Sequence, residues 1–387
     1  MRLRTRLGPP PFWILGLLLV LGMLFFIMTF LATPIQAAPD AYQGEQPSND
    51  FCLACHQEEG IALTLGSDSL PVTINPTLFG LSVHAEEGIN CVDCHTNISE
   101  YPHPDVQAKS VHDFSVELNV SCKDCHEEQY SNAQDSIHQK AFDEGKANAP
   151  LCSNCHNPHT QGRVIGTESK QLTISARLHI PETCAQCHSD KYEQYKTSVH
   201  GKALTEEGNI DVPTCTDCHG VHNIQDPTTA SFRNTTPALC ADCHDNAGIM
   251  DKYGISTNVL ETYVADFHGT NVKLFGDQSP DEPTNKAVCT DCHGVHDIAK
   301  VDNPETGIAL RENLLVKCQR CHPDATANFP GAWMSHYVPS PQHYPIVYYV
   351  NLFYKIMIPT IIGGMIFFIL TDIYRRIASR GKGVQHS

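Results

Sequence analysis

Nine times the chain reads Cys-x-x-Cys-His. The motifs hold Cys52, Cys55 and His56; Cys91, Cys94 and His95; Cys122, Cys125 and His126; Cys152, Cys155 and His156; and Cys184, Cys187 and His188. Then come Cys215, Cys218 and His219; Cys240, Cys243 and His244; Cys289, Cys292 and His293; and Cys318, Cys321 and His322. Two thiols at this spacing reach both vinyl groups of one haem and form two thioethers, and the His that follows reaches the iron from one face. Disulfides in an exported chain and halves of zinc sites also use paired cysteines. Neither demands a His directly after every pair, and no cysteine is left over. The pattern therefore predicts nine covalently attached haems c.

The remaining histidines fall in a repeat. One unit is a motif, a His often preceded by Ser-x, a second motif, and another His. The clearest units place His138 and His159 after His126 and His156, and His200 and His222 after His188 and His219. A third holds His268 and His296. A looser first unit holds His84 and His103, and a half unit closes on His336. These nine are the candidate second ligands, which makes the sites mostly or all bis-His. His103 breaks the His-x-x-His spacing, so His112 or His179 is an alternative to it. His343 and His386 are spare. Methionine is nearly absent from the soluble part, and imidazole on both faces gives lower potentials than a His/Met pair. A low-potential protein is expected.

The segments that carry the second ligands look helical. Tyr130, Ala133, Ile137, Ala141 and Phe142 recur on one face after His126, and Tyr192, Tyr195, Val199, Ala203 and Leu204 repeat the pattern after His188. Gly145 and Gly208 would stop each helix. A continuous helix would rise roughly 18 Å from His126 to His138. Two nitrogens on opposite faces of one iron are only about 4 Å apart. His138 should therefore serve a different haem from His126. The same holds for His156 with His159, His219 with His222, and His293 with His296, which stand too close in sequence to clasp both faces of one ring. Each second ligand should serve a neighbour, so the array is stitched together by its own ligands.

Composition agrees with that core. The chain has 387 residues with 18 Cys, 22 His and only 2 Trp. The stretch from Asp40 to Tyr344 has few long aliphatic runs, too little to fold on side-chain burial alone. The expected fold is mainly α and irregular coil around a haem-packed core. Formal net charge is -17, which argues against nucleic acid as a partner and favours solubility or docking to a basic one.

Two apolar segments bracket this region. Phe12 to Ala32 follows Arg2, Arg4 and Arg6 and ends near Ala37, as a signal peptide or an N-terminal membrane anchor would. Ile346 to Leu370 precedes Arg375, Arg376, Arg380 and Lys382. The positive-inside rule puts that tail in the cytoplasm and the haem region in the periplasm. The boundaries expected are 1–37 for the leader or anchor and 38–340 for about four and a half two-haem repeats. Residues 341–375 form the juxtamembrane linker and transmembrane helix, and 376–387 the tail.

The nine motifs, Ser-Val-His-Gly at Ser198 to Gly201, and Cys-His-Gly-Val-His ending at His222 and His296 resemble the bacterial multihaem cytochromes c. The resemblance spans roughly 51–336. It is similar in layout to membrane-anchored electron-transfer members, including quinol-dehydrogenase cytochromes, and to non-catalytic relatives of octahaem oxidoreductases. It implies a helical and coil fold with haems stacked in alternating parallel and perpendicular pairs. The anchored quinol-dehydrogenase type carries fewer haems and an N-terminal anchor, which weighs against direct quinol oxidation by this chain.

The function expected is electron transfer in a respiratory chain, between an integral-membrane quinol-oxidising or b-type cytochrome subunit and extracytoplasmic redox proteins. No residue is singled out as catalytic. Two alternatives remain open. One is a nitrogen- or sulfur-oxyanion reductase with one open-faced haem. The other is a quinol dehydrogenase using His343, Tyr344 and Lys355 near the outer interface.

Overall fold

In a computed structural model the described residues are 47–98, 103, 105–279, 281–333 and 336–382. The leader or anchor expected at 1–37 and His386 lie outside them. The chain divides into two units, 1–51 and 52–387.

Cys-x-x-Cys-His is one helical turn long, and all nine motifs use that turn. The backbone N–H of His126, His188 and His322 reaches the carbonyl of Cys122, Cys184 and Cys318 at 2.8–2.9 Å, and His95 and His156 do the same with Cys91 and Cys152. This winding puts both thiols on one side with the imidazole beside them. The motifs alternate in how the turn is reached. The first, third, fifth, seventh and ninth sit at the C-terminal ends of helices Asn49–His56, Val111–Lys123, Ile174–Ala185, Ala230–His244 and Arg311–Gln319. The others nucleate short helices of their own: Cys91–Cys94, Cys152–Cys155, Cys215–His219 and Cys289–His293. A side chain inside each motif makes that start possible. Asp93, Asn154, Asp217 and Asp291 accept the N–H of Asn90, Leu151, Thr214 and Val288 at 2.6–2.7 Å, which satisfies a donor the helix start leaves free.

The continuous helices expected after His126 and His188 are each broken in two. Glu127–Gln134 ends and Ile137–Asp143 begins; Ser189–Thr197 ends and Val199–Thr205 begins. The reason is the Ser of Ser-x-His. Ser136 and Ser198 take extended backbone and accept the N–H of Gln139 and Gly201, so each restarts the helix as its N-cap. Ser82 does the same for Val83–Glu86 through the N–H of Ala85, and Asp266 caps Phe267–Gln278. His84, His138, His200 and His268 are thus each the second residue of a freshly capped helix. Gly145 and Gly208 end the two middle helices at φ 74° and 64°, as expected.

These capped helices dock at long range in a repeating way. The free N–H of Val83, Ile137 and Val199 each donates at 2.8 Å to a carbonyl just past the next unit's second His: Gln161, Ile224 and Ile298. Arg177 binds the Asp217 carboxylate and the Val212 and Ile210 carbonyls, and Arg233 binds Asp291 and the Lys286 carbonyl. Asn119 plays this part in the second unit by accepting the Cys152 N–H.

The architecture is mostly helix and coil, as expected. A hairpin pairing Ala62–Leu65 antiparallel to Asp68–Pro71 was not anticipated, because its short alternation is interrupted by a turn. Buried apolar side chains are scattered, among them Leu65, Leu204, Val272 and Val288. The helix Pro345–Lys382 buries no side chain from Pro345 to Ser379 and is mostly exposed there. Its segment Pro345–Ser379 contains an 18-residue stretch with a mean hydropathy of 2.1 and is long and apolar enough to cross a membrane. It starts after Tyr344, which turns the chain at φ 59°. The helix outruns the apolar stretch expected at 346–370, and Arg376 pairs with Asp372 one turn back in that extension.

Candidate haem-binding array

Iron bound by two imidazoles needs metal–nitrogen bonds near 2 Å on each side, which sets the ring centres about 6 Å apart. Among the described residues, every motif His faces one non-motif His at that separation. His56 faces His103 at 6.0 Å, His95 faces His159 at 6.1 Å, and His126 faces His84 at 6.2 Å. His156 faces His222 and His188 faces His138, both at 6.2 Å; His219 faces His296 at 6.0 Å. His244 faces His200 at 6.4 Å, His293 faces His336 at 6.3 Å, and His322 faces His268 at 6.4 Å.

The partner is not the motif next door. The His following the fourth, sixth and eighth motifs reaches back to the second, fourth and sixth. The His of each capped helix reaches forward: His84 to the third motif, His138 to the fifth, His200 to the seventh and His268 to the ninth. Each of these nine non-motif histidines therefore has at least one whole motif between it and the motif it faces. His103, which breaks the repeat spacing, faces the first. His112 instead leans on Phe142, His179 turns Nδ1 to the Ser175 carbonyl at 2.8 Å, and His343 stacks on Tyr337 at 5.0 Å.

The cysteines show how the motifs touch. The first thiols lie near one another in pairs and shift each other's pKa: Cys52 with Cys91, Cys122 with Cys152, Cys184 with Cys215, and Cys240 with Cys289. Second thiols contact the following unit. Burial and then Cys122 raise the pKa of Cys94, and burial and then Cys184 raise that of Cys155. Burial pushes Cys218 and Cys292 up to about 11, with Cys240 and Cys318 adding to the shift. Influences of these two kinds alternate from the first motif to the ninth, each between motifs that are neighbours in sequence.

The imidazoles are held in the neutral form that can bind a metal. Burial lowers His95, His200 and His293 to about 4, and the facing ring of each adds to the effect. Second contacts fix several ring orientations. Nδ1 of His56 and His84 meets the carbonyls of Val72 and Pro158 at 3.1 Å, Nδ1 of His156 meets Gln161 Oε1 at 3.2 Å, and Nδ1 of His336 meets Thr262 Oγ1 at 3.3 Å. Sequence reasoning missed these partners and the Arg177–Asp217 and Arg233–Asp291 pairs. Only the recurrence of Asp between the motif cysteines hinted at the latter. Paired imidazoles at an iron-spanning distance, beside two thiols on one helical turn, fit a covalently held haem.

Residues 208–248, which contain the sixth and seventh motifs, match the doubled CXXCH motif family. A relative, the multiheme cytochrome MtrA of Shewanella baltica (strain OS185), is 27% identical over 186 residues, covering 45% of this chain and 52% of that protein. The chain therefore spans about half the length of the relative it matches. No solved structure matches. These findings support a multihaem c-type cytochrome. They support covalently bound c-type haem, and they suggest electron transfer and interaction with other redox proteins.

Proposed function

We propose that the chain is a nonahaem electron wire anchored to the cytoplasmic membrane, passing electrons between a membrane quinol-linked partner and periplasmic redox proteins. The observation that carries the reading is the set of nine imidazole pairs, each joining a motif His to one non-motif His. Haem c, when bound, supplies a one-electron Fe(III)/Fe(II) couple. The chain's own residues do the rest. The cysteines tether each group to one helical turn, and the capped helices aim the second imidazole. The alternating thiol contacts keep successive sites close enough for electron hopping. A reductase needs one face left open, and the pairs favour closed faces at all nine.

The anchoring half of the reading rests on the apolar helix Pro345–Lys382 and the Arg and Lys residues at its end, which by the positive-inside rule put the tail in the cytoplasm. His336 stands just before that helix, so the eighth and ninth sites are the ones tied to the membrane. An integral-membrane quinol-oxidising or b-type cytochrome subunit would meet the array there.

The test is low-temperature EPR of the oxidised protein with haem quantified on the same sample. Nine haems, all low-spin, are expected. Two signal classes should appear, because parallel imidazole planes split the iron d orbitals strongly and crossed planes leave them nearly degenerate. His95–His159 and His56–His103 stand within 11° of parallel, whereas His84–His126, His200–His244 and His268–His322 cross at 54–62°. A high-spin signal worth one haem would replace the wire with an enzyme.

A further inference from the structure

The four capped helices that carry second ligands start alike, with one exception. Ser82, Ser136 and Ser198 cap the first three, and Asp266 caps the fourth. Serine is already a good cap, so helix formation alone does not call for an acid. The Asp266 carboxylate does more than cap. Its Oδ2 accepts the indole N–H of Trp333 at 2.7 Å, and the same oxygen stands 3.6 Å from Nδ1 of His268. Among the described residues no Lys or Arg pairs with Asp266, and Lys286 lies over the Phe267 ring instead. At His56, His84, His156 and His336 the corresponding ring nitrogen meets a neutral carbonyl, amide or hydroxyl oxygen.

From these contacts we infer that Asp266 is a redox-tuning residue that lowers the potential of the site formed by His268 and His322, with Trp333 holding it in place. This rests on the proposed ligation of the ninth site. The physical reason is charge. Fe(III) + e⁻ → Fe(II) removes one positive charge and moves no proton, so a fixed carboxylate beside an axial imidazole favours the ferric form. The carboxylate is partly shielded, with 24% of its side chain exposed, so solvent screens it incompletely.

The placement gives the effect a use. Trp333 lies on the segment leading to the apolar helix, stacks edge-on against His336, and accepts the Tyr344 hydroxyl on its carbonyl. A low-potential centre at this end passes electrons downhill into the other eight, which makes it the entry point.

Asp266→Asn keeps a capping side chain and removes the charge, and Ser136→Asp moves an acid to the equivalent cap beside His138. Both would be followed by EPR-monitored redox titration of the full-length protein with haem content measured. In Asp266→Asn, one haem of the crossed-plane class should titrate higher, with its oxidised-to-reduced ratio at fixed potential falling about tenfold, which is about 59 mV for one electron. In Ser136→Asp the His138/His188 site should move lower. Nine low-spin haems in the wild type with an unmoved Asp266→Asn titration would overturn the tuning role alone. A wild type lacking a low-spin ninth haem would overturn the site assignment and the proposal with it.

Discussion

His159 faces His95 at 6.1 Å with the rings 6° from parallel, although two whole motifs, Cys122 to His126 and Cys152 to His156, lie between them in the chain. A ligand that reaches over an intervening motif ties together two segments that no local contact joins. Repeated along the array, this makes each site depend on two units, so loss of one imidazole should be felt at a site remote in sequence.

His159→Ala should therefore open the site at His95, not the adjacent site at His156. The thioethers at Cys91 and Cys94 keep the group attached, so haem content should stay unchanged while about one-ninth of the iron turns high-spin. EPR with haem quantification on one sample checks this, and a His159→Ala spectrum that stays fully low-spin would overturn the assignment.

Ser198→Ala removes the acceptor for the Gly201 N–H at the start of Val199–Thr205. Loss of a Ser cap costs about 1 kcal/mol. The expected result is a lowered chemical-denaturation midpoint with His200 still bound, read as an unchanged low-spin spectrum. Ser198→Asn should restore the midpoint.

Arg177→Met breaks the bond to Asp217 and strands the Val212 carbonyl, while its aliphatic part is replaced. The Arg177 side chain is 18% exposed and Asp217 is 35% exposed, so the ion pair itself is screened and counts for little. Most of the loss, about 1–2 kcal/mol, comes from the unsatisfied carbonyl. Denaturant titration should show it, and Asp217→Asn should cost less than Arg177→Met.

Acid sensitivity follows from His200, which burial and the facing His244 lower to about 4 from an unfolded value near 6.5. The folded form resists the proton, so this group's contribution is intact above pH 6.5 and declines as pH falls from 6.5 toward 4. Below about 4 it changes no further. Denaturation midpoints should hold through neutral pH and fall across that window. A loss already complete at pH 6.5 would contradict the buried, neutral imidazole.

Much of the site was legible because its chemistry is local. Cys-x-x-Cys-His spans one turn of helix, so attachment sites can be read without knowing the fold. The repeat singled out His138, His200 and His222 for the same reason: equal spacing within units implies equal jobs. The break at Ser136 was not legible from the apolar stripe, because Tyr130 to Phe142 keeps helical spacing across it. The clue lay in Ser-x-His, where a side-chain cap outcompetes continuation of the helix. Asp266 gave no signal, since its neighbours His268 and Trp333 meet it only in three dimensions.

By itself, then, the chain's order of residues determined the number and place of the motifs, the pool of candidate histidines, the helical and coil character, and the long apolar segment at the C-terminal end. Tertiary structure alone decided which imidazole faces which. Two rings can share one iron only if about 6 Å separates their centres, and that distance is set by where the capped helices dock, through contacts such as Val199 to Ile298. Spacing along a chain says which residues belong to one turn, and docking between turns says which residues meet.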